Sequence, residues 1–207
     1  VPGIEPLKVL ILGSGVIADA AAKTAASLGV SVTVLGSPPN RLGEIGQIPI
    51  TGMLYSGSLA RHMETADVVI GAVNLMDDED FNIDEEMIKK MKKGAVIVDV
   101  MADKGGCFGS TKSKPLDNPI YEKHGITHFC VPNITSLAAH TASAAISNML
   151  FPILLKLSKV GSVINLLKDE QGICNGTYLL KGIHTSFHIA KKHGASAQNI
   201  AILLKAL

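Results

Sequence analysis

Six residues beginning at Gly13 have the types and spacing of an anion cradle. Gly13-Ser14-Gly15-Val16-Ile17-Ala18 follows the short apolar run Lys8–Leu12 and leads into the alanine-rich segment Asp19-Ala20-Ala21-Ala22-Lys23-Thr24-Ala25-Ala26. A glycine at the first position permits a tight strand-to-helix turn, and one at the third lets a pyrophosphate approach the backbone. A small residue at the sixth lets the helix pack on the strand. The helix that starts there offers N–H groups and a partial positive charge to an anion. This chemistry is dinucleotide binding, and its alternative is the same turn standing empty. Asp103 is the second candidate. It follows a buried strand and precedes Gly105-Gly106, so its carboxylate is placed to bond ribose or nicotinamide groups, or to steer a substrate amine. Its bland alternative is an Asx-turn before the glycines. Asn133 follows Val131-Pro132 at the next strand end, where it either approaches a ligand or caps the helix beyond it.

These residues need a scaffold that brings strand ends together. Strand-like apolar runs are read at Lys8–Leu12, Ser31–Leu35, Val68–Ala72, Ala95–Val100 and His128–Val131, with helical patterns near Ile17–Leu28, Leu59–Glu64 and Glu85–Met91 between them. Alternation of this kind predicts right-handed βαβ units, hence an α/β fold with a Rossmann-like, doubly wound parallel sheet. Asp84 is a fitting N-cap before Glu85-Glu86, and Lys92-Lys93-Gly94 a helix stop. Asp99, inside a strand, reads as a partner for backbone groups. Residues 135–159 predict a long helix capped near Thr135 or Ser136 and kinked at Pro152, followed by helical stretches at Ser162–Lys168, Thr185–Lys192 and Ala197–Leu207. The domain boundary is placed between residues 1–134, a dinucleotide-binding domain, and residues 135–207, a connecting helix with additional C-terminal helices.

Composition narrows the functional classes. The net charge is +1, from 19 basic and 18 acidic residues, which gives no electrostatic footprint for nucleic acid or an acidic membrane. The apolar content of 47% with no Trp suits an interior of Val, Ile, Leu and Ala under helices. Cys107, Cys130 and Cys174 are widely spaced, which predicts reduced thiols and a cytoplasmic setting. The apolar stretch Leu137–Leu157 is interrupted by His140, Asn148, Pro152 and Lys156, so it reads as a buried helix and not as a membrane span. His184 and His188 stand four apart, but without a third ligand at a telling spacing no metal site is assigned.

Several motifs in order carry a resemblance. They are Val1-Pro2-Gly3, Ala66-Asp67-Val68-Val69-Ile70-Gly71-Ala72-Val73, the run from Glu86 through Lys93-Gly94-Ala95 to Val100, Asp103-Lys104-Gly105-Gly106-Cys107-Phe108, Asp117-Asn118-Pro119-Ile120-Tyr121 and Cys130-Val131-Pro132-Asn133. Over roughly residues 1–159 the chain resembles alanine dehydrogenase and the related nucleotide-binding segment of transhydrogenase. The resemblance implies an NAD(P)-dependent amino-acid dehydrogenase acting on an amino acid and its keto acid through hydride transfer. It assigns Asp103 to the active site and brings Asn133 to the nicotinamide side. With the glycine turn, it implies cofactor contacts at Gly13, Ser14, Gly15, Val16, Ile17, Ala18, Gly36, Ser37, Arg41, Ser56, Val73, Asn74, Met101 and Val131. It further implies a homo-oligomer, or a separate N-terminal substrate domain carrying a catalytic lysine and histidine, for which these 207 residues show no counterpart. The alternatives are a non-catalytic nucleotide-binding module that works with a partner chain, or an NADP-linked reductase of another keto or imino acid.

The chain departs from the family pattern in three places. Where the family carries an acid that binds the ribose hydroxyls of NAD, the second strand ends Thr33-Val34-Leu35-Gly36. Losing that acceptor costs roughly 1.5–3 kcal/mol of NAD affinity. It also removes repulsion against a 2′-phosphate, to which Ser37 and Arg41 are placed to supply a hydroxyl and a cation. NADP is therefore slightly favoured over NAD. After Val73-Asn74, the acidic run Asp77-Asp78-Glu79-Asp80 stands in place of an apolar loop and reads as a solvated loop. His140 occupies a stretch where the family often has an arginine, and reads as a packing or exposed histidine.

Overall fold

The computed structural model describes residues 3–36, 58–73 and 82–206. Ser37, Arg41, Ser56, Asn74 and the acidic run after it lie outside the described residues. The chain divides into two compact units, residues 1–134 and 135–207.

In the first unit the apolar runs become strands because they bury on both faces. The strands are β1 (Lys8–Leu12), β2 (Ser31–Leu35), β3 (Val68–Gly71), β4 (Val96–Asp99), β5 (Ile120–Lys123) and β6 (Ile126–Phe129). Among the described residues they form one sheet in the order β2-β1-β3-β4-β6-β5. All pairings are parallel except that of β5 with β6. Helices α1 (Val16–Ser27), α2 (Ser58–Thr65) and α3 (Glu85–Lys89) lie among these strands. Alternate β1 residues feed two cores. Val9 and Ile11 pack with Ala18 and Ala22 of α1, while Leu10 and Leu12 pack with Met63 of α2 and Ile88 of α3. Period-two alternation on β1 against two helical layers is what a doubly wound sheet requires. Asp84 caps α3 by accepting from Met87 N at 2.8 Å.

The sixth strand begins two residues earlier than its sequence reading, and β5 is an addition to it. Ile120-Tyr121-Glu122-Lys123 alternates partly buried and exposed residues, the pattern of an antiparallel edge strand and not of a fully apolar run.

The second unit contains α4 (Ala139–Val160), α5 (Val163–Asp169), α6 (Gln171–Asn175), the hairpin β7 (Leu179–Leu180) and β8 (Ile183–His184), α7 (Phe187–Lys192) and α8 (Ile200–Lys205). Leu167, Cys174, Leu180 and Leu204 form its small core. A 3-10 turn at Ile134–Ala138 precedes α4. The N-cap of α4 is therefore Ala138, not Thr135 or Ser136, and α4 runs through Pro152 to a left-handed Gly161. None of its residues is buried in the described structure, which corrects the expectation of a buried helix: among the described residues its apolar side chains are left uncovered. Residues 134–160 are long and apolar enough to cross a bilayer by length and composition alone.

Candidate functional site

The order of the sheet fixes where a ligand can sit. The chain leaves β1 toward β2 and then crosses to β3 on the other side, so the topological switch point falls between β1 and β3, where ligands bind outside the carboxyl ends of such strands. Register brings Leu12, Gly71 and Asp99 into one row across β1, β3 and β4. The segments that follow them emerge at one edge, with β6 one strand further on. At about 4.8 Å per strand, the glycine turn and the exit of β4 are about 10 Å apart.

At the end of β1 the turn is built as the spacing predicts. Gly13 has φ +125°, and a Cβ there would stand 2.3 Å from the Ala72 carbonyl oxygen. Its N–H donates to the Leu35 carbonyl at 2.7 Å and is thereby taken by the fold. Gly15 is the N-cap of α1 and adds no capping side chain. Among the described residues, a Cβ on Gly15 would meet nothing within 4 Å. The first intrahelical bond runs from Asp19 N to the Gly15 carbonyl at 3.0 Å. Val16, Ile17 and Ala18 therefore present the amides that lack an acceptor one turn back. Val16 and Ile17 are exposed, whereas Ala18 is buried against the sheet. Gly36, at the end of β2, lies hard against this turn. A Cβ there would come 2.7 Å from Ser14 Cβ and 2.8 Å from the Gly13 carbonyl oxygen.

Across the switch point, Asp103 lies exposed in a 3-10 turn, Ala102–Lys104, directly after β4. Asn133 is exposed at the end of the first unit with a left-handed φ of +53°. Val73, Met101 and Val131 also stand after β3, β4 and β6, but their side chains are buried. What they can offer a ligand is backbone.

The Asp103 loop rests on a buried carboxylate. Asp99, 1% exposed, accepts from Met101 N at 3.0 Å, Cys107 N at 2.8 Å and the Thr111 hydroxyl at 2.5 Å. The sequence reading of Asp99 as a partner for backbone groups holds. Beside it, buried His128 links Ser110 Oγ, 2.8 Å from Nε2, with the Ile126 carbonyl, 2.9 Å from Nδ1. A carbonyl only accepts, so Nδ1 carries the proton and Nε2 accepts from Ser110. Burial lowers the His128 pKa below the usual imidazole value, which agrees with a neutral ring. Tyr121 stacks on His128 with centroids 4.8 Å apart. Its hydroxyl donates to the Ser110 carbonyl and accepts from Lys112 N, both at 2.8 Å. Burial, then Asp99, pushes the Cys107 thiol up to about 12, and burial raises Cys130 as well. Neither is set up as a nucleophile.

Sequence reasoning missed Thr111, Ser110, His128 and Tyr121. Ser110, Thr111 and His128 belong to no motif, Tyr121 closes one without a role assigned to it, and the antiparallel strand that brings Tyr121 to His128 was itself unread. Outside this region, His184 stacks with His193 at 6.3 Å. Among the described residues no three His, Cys, Asp or Glu side chains group as a metal site.

Residues 1–186 match the family described as alanine dehydrogenase/PNT, C-terminal domain. The chain is 35% identical to an alanine dehydrogenase of Methanococcus maripaludis, over 89% of this chain and 49% of that protein. It is 34% identical to an alanine dehydrogenase of Geobacillus stearothermophilus, over 97% of this chain and 54% of that protein. Among solved structures, an L-alanine dehydrogenase superposes with a TM-score of 0.79 at 28% identity, covering 94% of this chain and 55% of the other. A transhydrogenase from Sinorhizobium meliloti, at 20% identity and a TM-score of 0.57 over 71% of this chain and 46% of its own, shares the fold. The chain spans about half the length of the curated relatives it matches.

Proposed function

The chain belongs to the alanine dehydrogenase/PNT C-terminal domain family, and from that premise we propose that it is the cofactor-binding part of an NAD(P)-dependent amino-acid dehydrogenase of the alanine dehydrogenase type. The observation that carries the reading is the open start of α1 at the topological switch point, with Asp103 two strands away. The residues present fit a dinucleotide. Gly13 makes the turn, Gly15 leaves its approach clear of the described residues, and the amides of Val16, Ile17 and Ala18 would hold a pyrophosphate with the dipole of α1 behind them.

A bound nicotinamide would supply the hydride acceptor or donor: the amino acid would lose a hydride from its α-carbon and a proton from its nitrogen to give an imino acid, which water would convert to the keto acid with release of ammonia. The chain's own part is position and charge. The Asp103 carboxylate orients the nicotinamide end or holds the substrate ammonium, and Asn133 hydrogen-bonds on the same side. Val73, Met101 and Val131 contribute backbone, since their side chains belong to the interior. Arg41, Ser37, Ser56 and Asn74 complete the adenosine and nicotinamide ends in this reading.

Between the two dinucleotides we favour NADP. Gly36 supplies no carboxylate to the ribose, and its contact with Ser14 and Gly13 leaves no room for one on this backbone. Fluorescence titration of the chain with NADPH and NADH tests both levels. NADPH is expected to bind at least as tightly as NADH, tighter NADH would overturn the preference, and failure of both at millimolar concentration would end the dinucleotide reading.

A second reading is favoured by the half-length match and by α4. Leu137, before the helix, and Ile146, Met149, Leu150, Phe151, Leu154 and Leu155 along it are all exposed, and 146, 149, 150 and 154 fall on one face at helical spacing. Such a stripe suits burial against a substrate domain or a second copy of the chain, in a cytoplasmic assembly and not in a bilayer. The chain then acts as a nucleotide-binding module completed by a partner. Full turnover of amino acid by the chain alone would rule out this second reading.

A further inference from the structure

The loop that carries Asp103 is held at its entry, its exit and its shoulder by one buried carboxylate. Asp99 accepts from Met101 N and Cys107 N, the residues on either side of the loop, and from the hydroxyl of Thr111. Inside the loop, Lys104 N and Gly106 N both donate to the Met101 carbonyl, at 2.8 and 3.0 Å, so the turn is already closed on itself. What remains to be set is its placement over the sheet. The backbone donors belong to the loop itself, while Thr111 belongs to a segment anchored elsewhere. Its neighbours Ser110 and Lys112 are fixed by Tyr121, and Ser110 also by His128. Gly106 shows how closely these parts meet. A Cβ there would stand 2.4 Å from Thr111 Cγ2 and 2.6 Å from Asp99 Oδ2.

We propose that Thr111 is a positioning residue which, through Asp99, sets the placement of the Asp103 loop against the nicotinamide half of the bound cofactor. The inference rests on the dinucleotide reading. Thr111 itself touches neither cofactor nor substrate in this account. It acts by donating to Asp99 Oδ2, which also receives Cys107 N. Without that donor the carboxylate loses one of three partners in a buried place, and the exit of the loop is free to shift.

The test compares ADP-ribose with NADH and 2′-phospho-ADP-ribose with NADPH on the full chain by calorimetry, each pair differing in the nicotinamide; ADP-ribose below stands for the member matched to the better dinucleotide. Thr111→Val is expected to bind ADP-ribose as the parent does, and to bind the better of the two reduced dinucleotides about tenfold more weakly, the scale of one hydrogen bond to a charged group. Thr111→Ser keeps the donor and is expected to restore the dinucleotide affinity. Equal affinity of the parent and Thr111→Val for the reduced dinucleotide would overturn the inference, as would a parallel loss of ADP-ribose. If Thr111→Val does not fold, a folded Thr111→Ser with weakened dinucleotide binding overturns it and parent-like binding supports it. A parent chain that binds ADP-ribose but gains nothing from the nicotinamide overturns the inference alone. A parent that binds none of these ligands removes the dinucleotide reading and the inference with it.

Discussion

Asp99 and Asp103 stand four positions apart, and burial separates their tasks. Asp99 spends its charge on Met101, Cys107 and Thr111, while Asp103 is exposed beyond it. Sequence showed both aspartates and their division of labour, because one lies within an apolar run and the other just past it. It could not show Thr111, since a hydroxyl twelve residues downstream carries no periodic signal. His128 yields a pH prediction. In the unfolded chain its imidazole takes a proton near 6.5, while burial lowers that value in the fold. The group's contribution to stability is thus full above 6.5 and falls as pH drops below it, by at most about 1.4 kcal/mol per pH unit. Glu85, held down to about 2 chiefly by Lys123 and then His124, adds a second loss between its ordinary 4.5 and 2. Thermal unfolding of His128→Asn should show a flatter profile below pH 6.5, with the Glu85 limb unchanged. An unaltered profile would contradict the neutral, buried assignment. The thiols make a simpler check. Cys107, Cys130 and Cys174 are free and buried, so an aromatic disulfide reagent should titrate none of them in the native chain and all three in guanidinium.

At the scale of elements, β1, the turn and α1 were legible because every level agrees: an apolar β-branched run, two glycines with distinct duties, then alanines. β5 was not, because an edge strand that alternates partly buried and exposed residues imitates a polar loop. The short hairpin Leu179–His184 has only two residues on each side, too few to carry a period. The start of α4 was misplaced because Thr135 and Ser136 look like caps but fall inside a 3-10 turn. The two turn glycines separate fold from function. Gly13→Ala meets the Ala72 carbonyl at 2.3 Å from a positive φ and should cost about 2–4 kcal/mol of stability in denaturant unfolding. Gly15→Ala meets nothing within 4 Å among the described residues and should change stability by only about 0.5 kcal/mol, while weakening dinucleotide binding at least tenfold. Strong binding by a folded Gly15→Ala chain would move the phosphate away from this turn.

For the whole molecule, the sheet belongs to the first unit, the family match runs on through residue 186 of the second, and the question of assembly lies with the second. An α4 without buried residues has an apolar face in need of cover, whereas its apolar composition alone reads as a buried helix. Phe151→Glu with Leu154→Lys should leave the unfolding midpoint nearly unchanged, since both side chains are about 60% exposed. The same pair should abolish association with a second copy or with an N-terminal substrate half, as read by sedimentation. Loss of folding would instead place α4 in the chain's own core. The central claim is that the amides opening α1 hold the pyrophosphate, with the Asp103 loop across the crevice. Amide chemical-shift mapping of the chain on addition of reduced dinucleotide tests it most directly. The largest shifts should fall on Gly15, Val16, Ile17 and Ala18, with a second group at Asp103, Gly105 and Gly106. Shifts confined to residues 135–207, or absent from residues 13–18, would contradict the account.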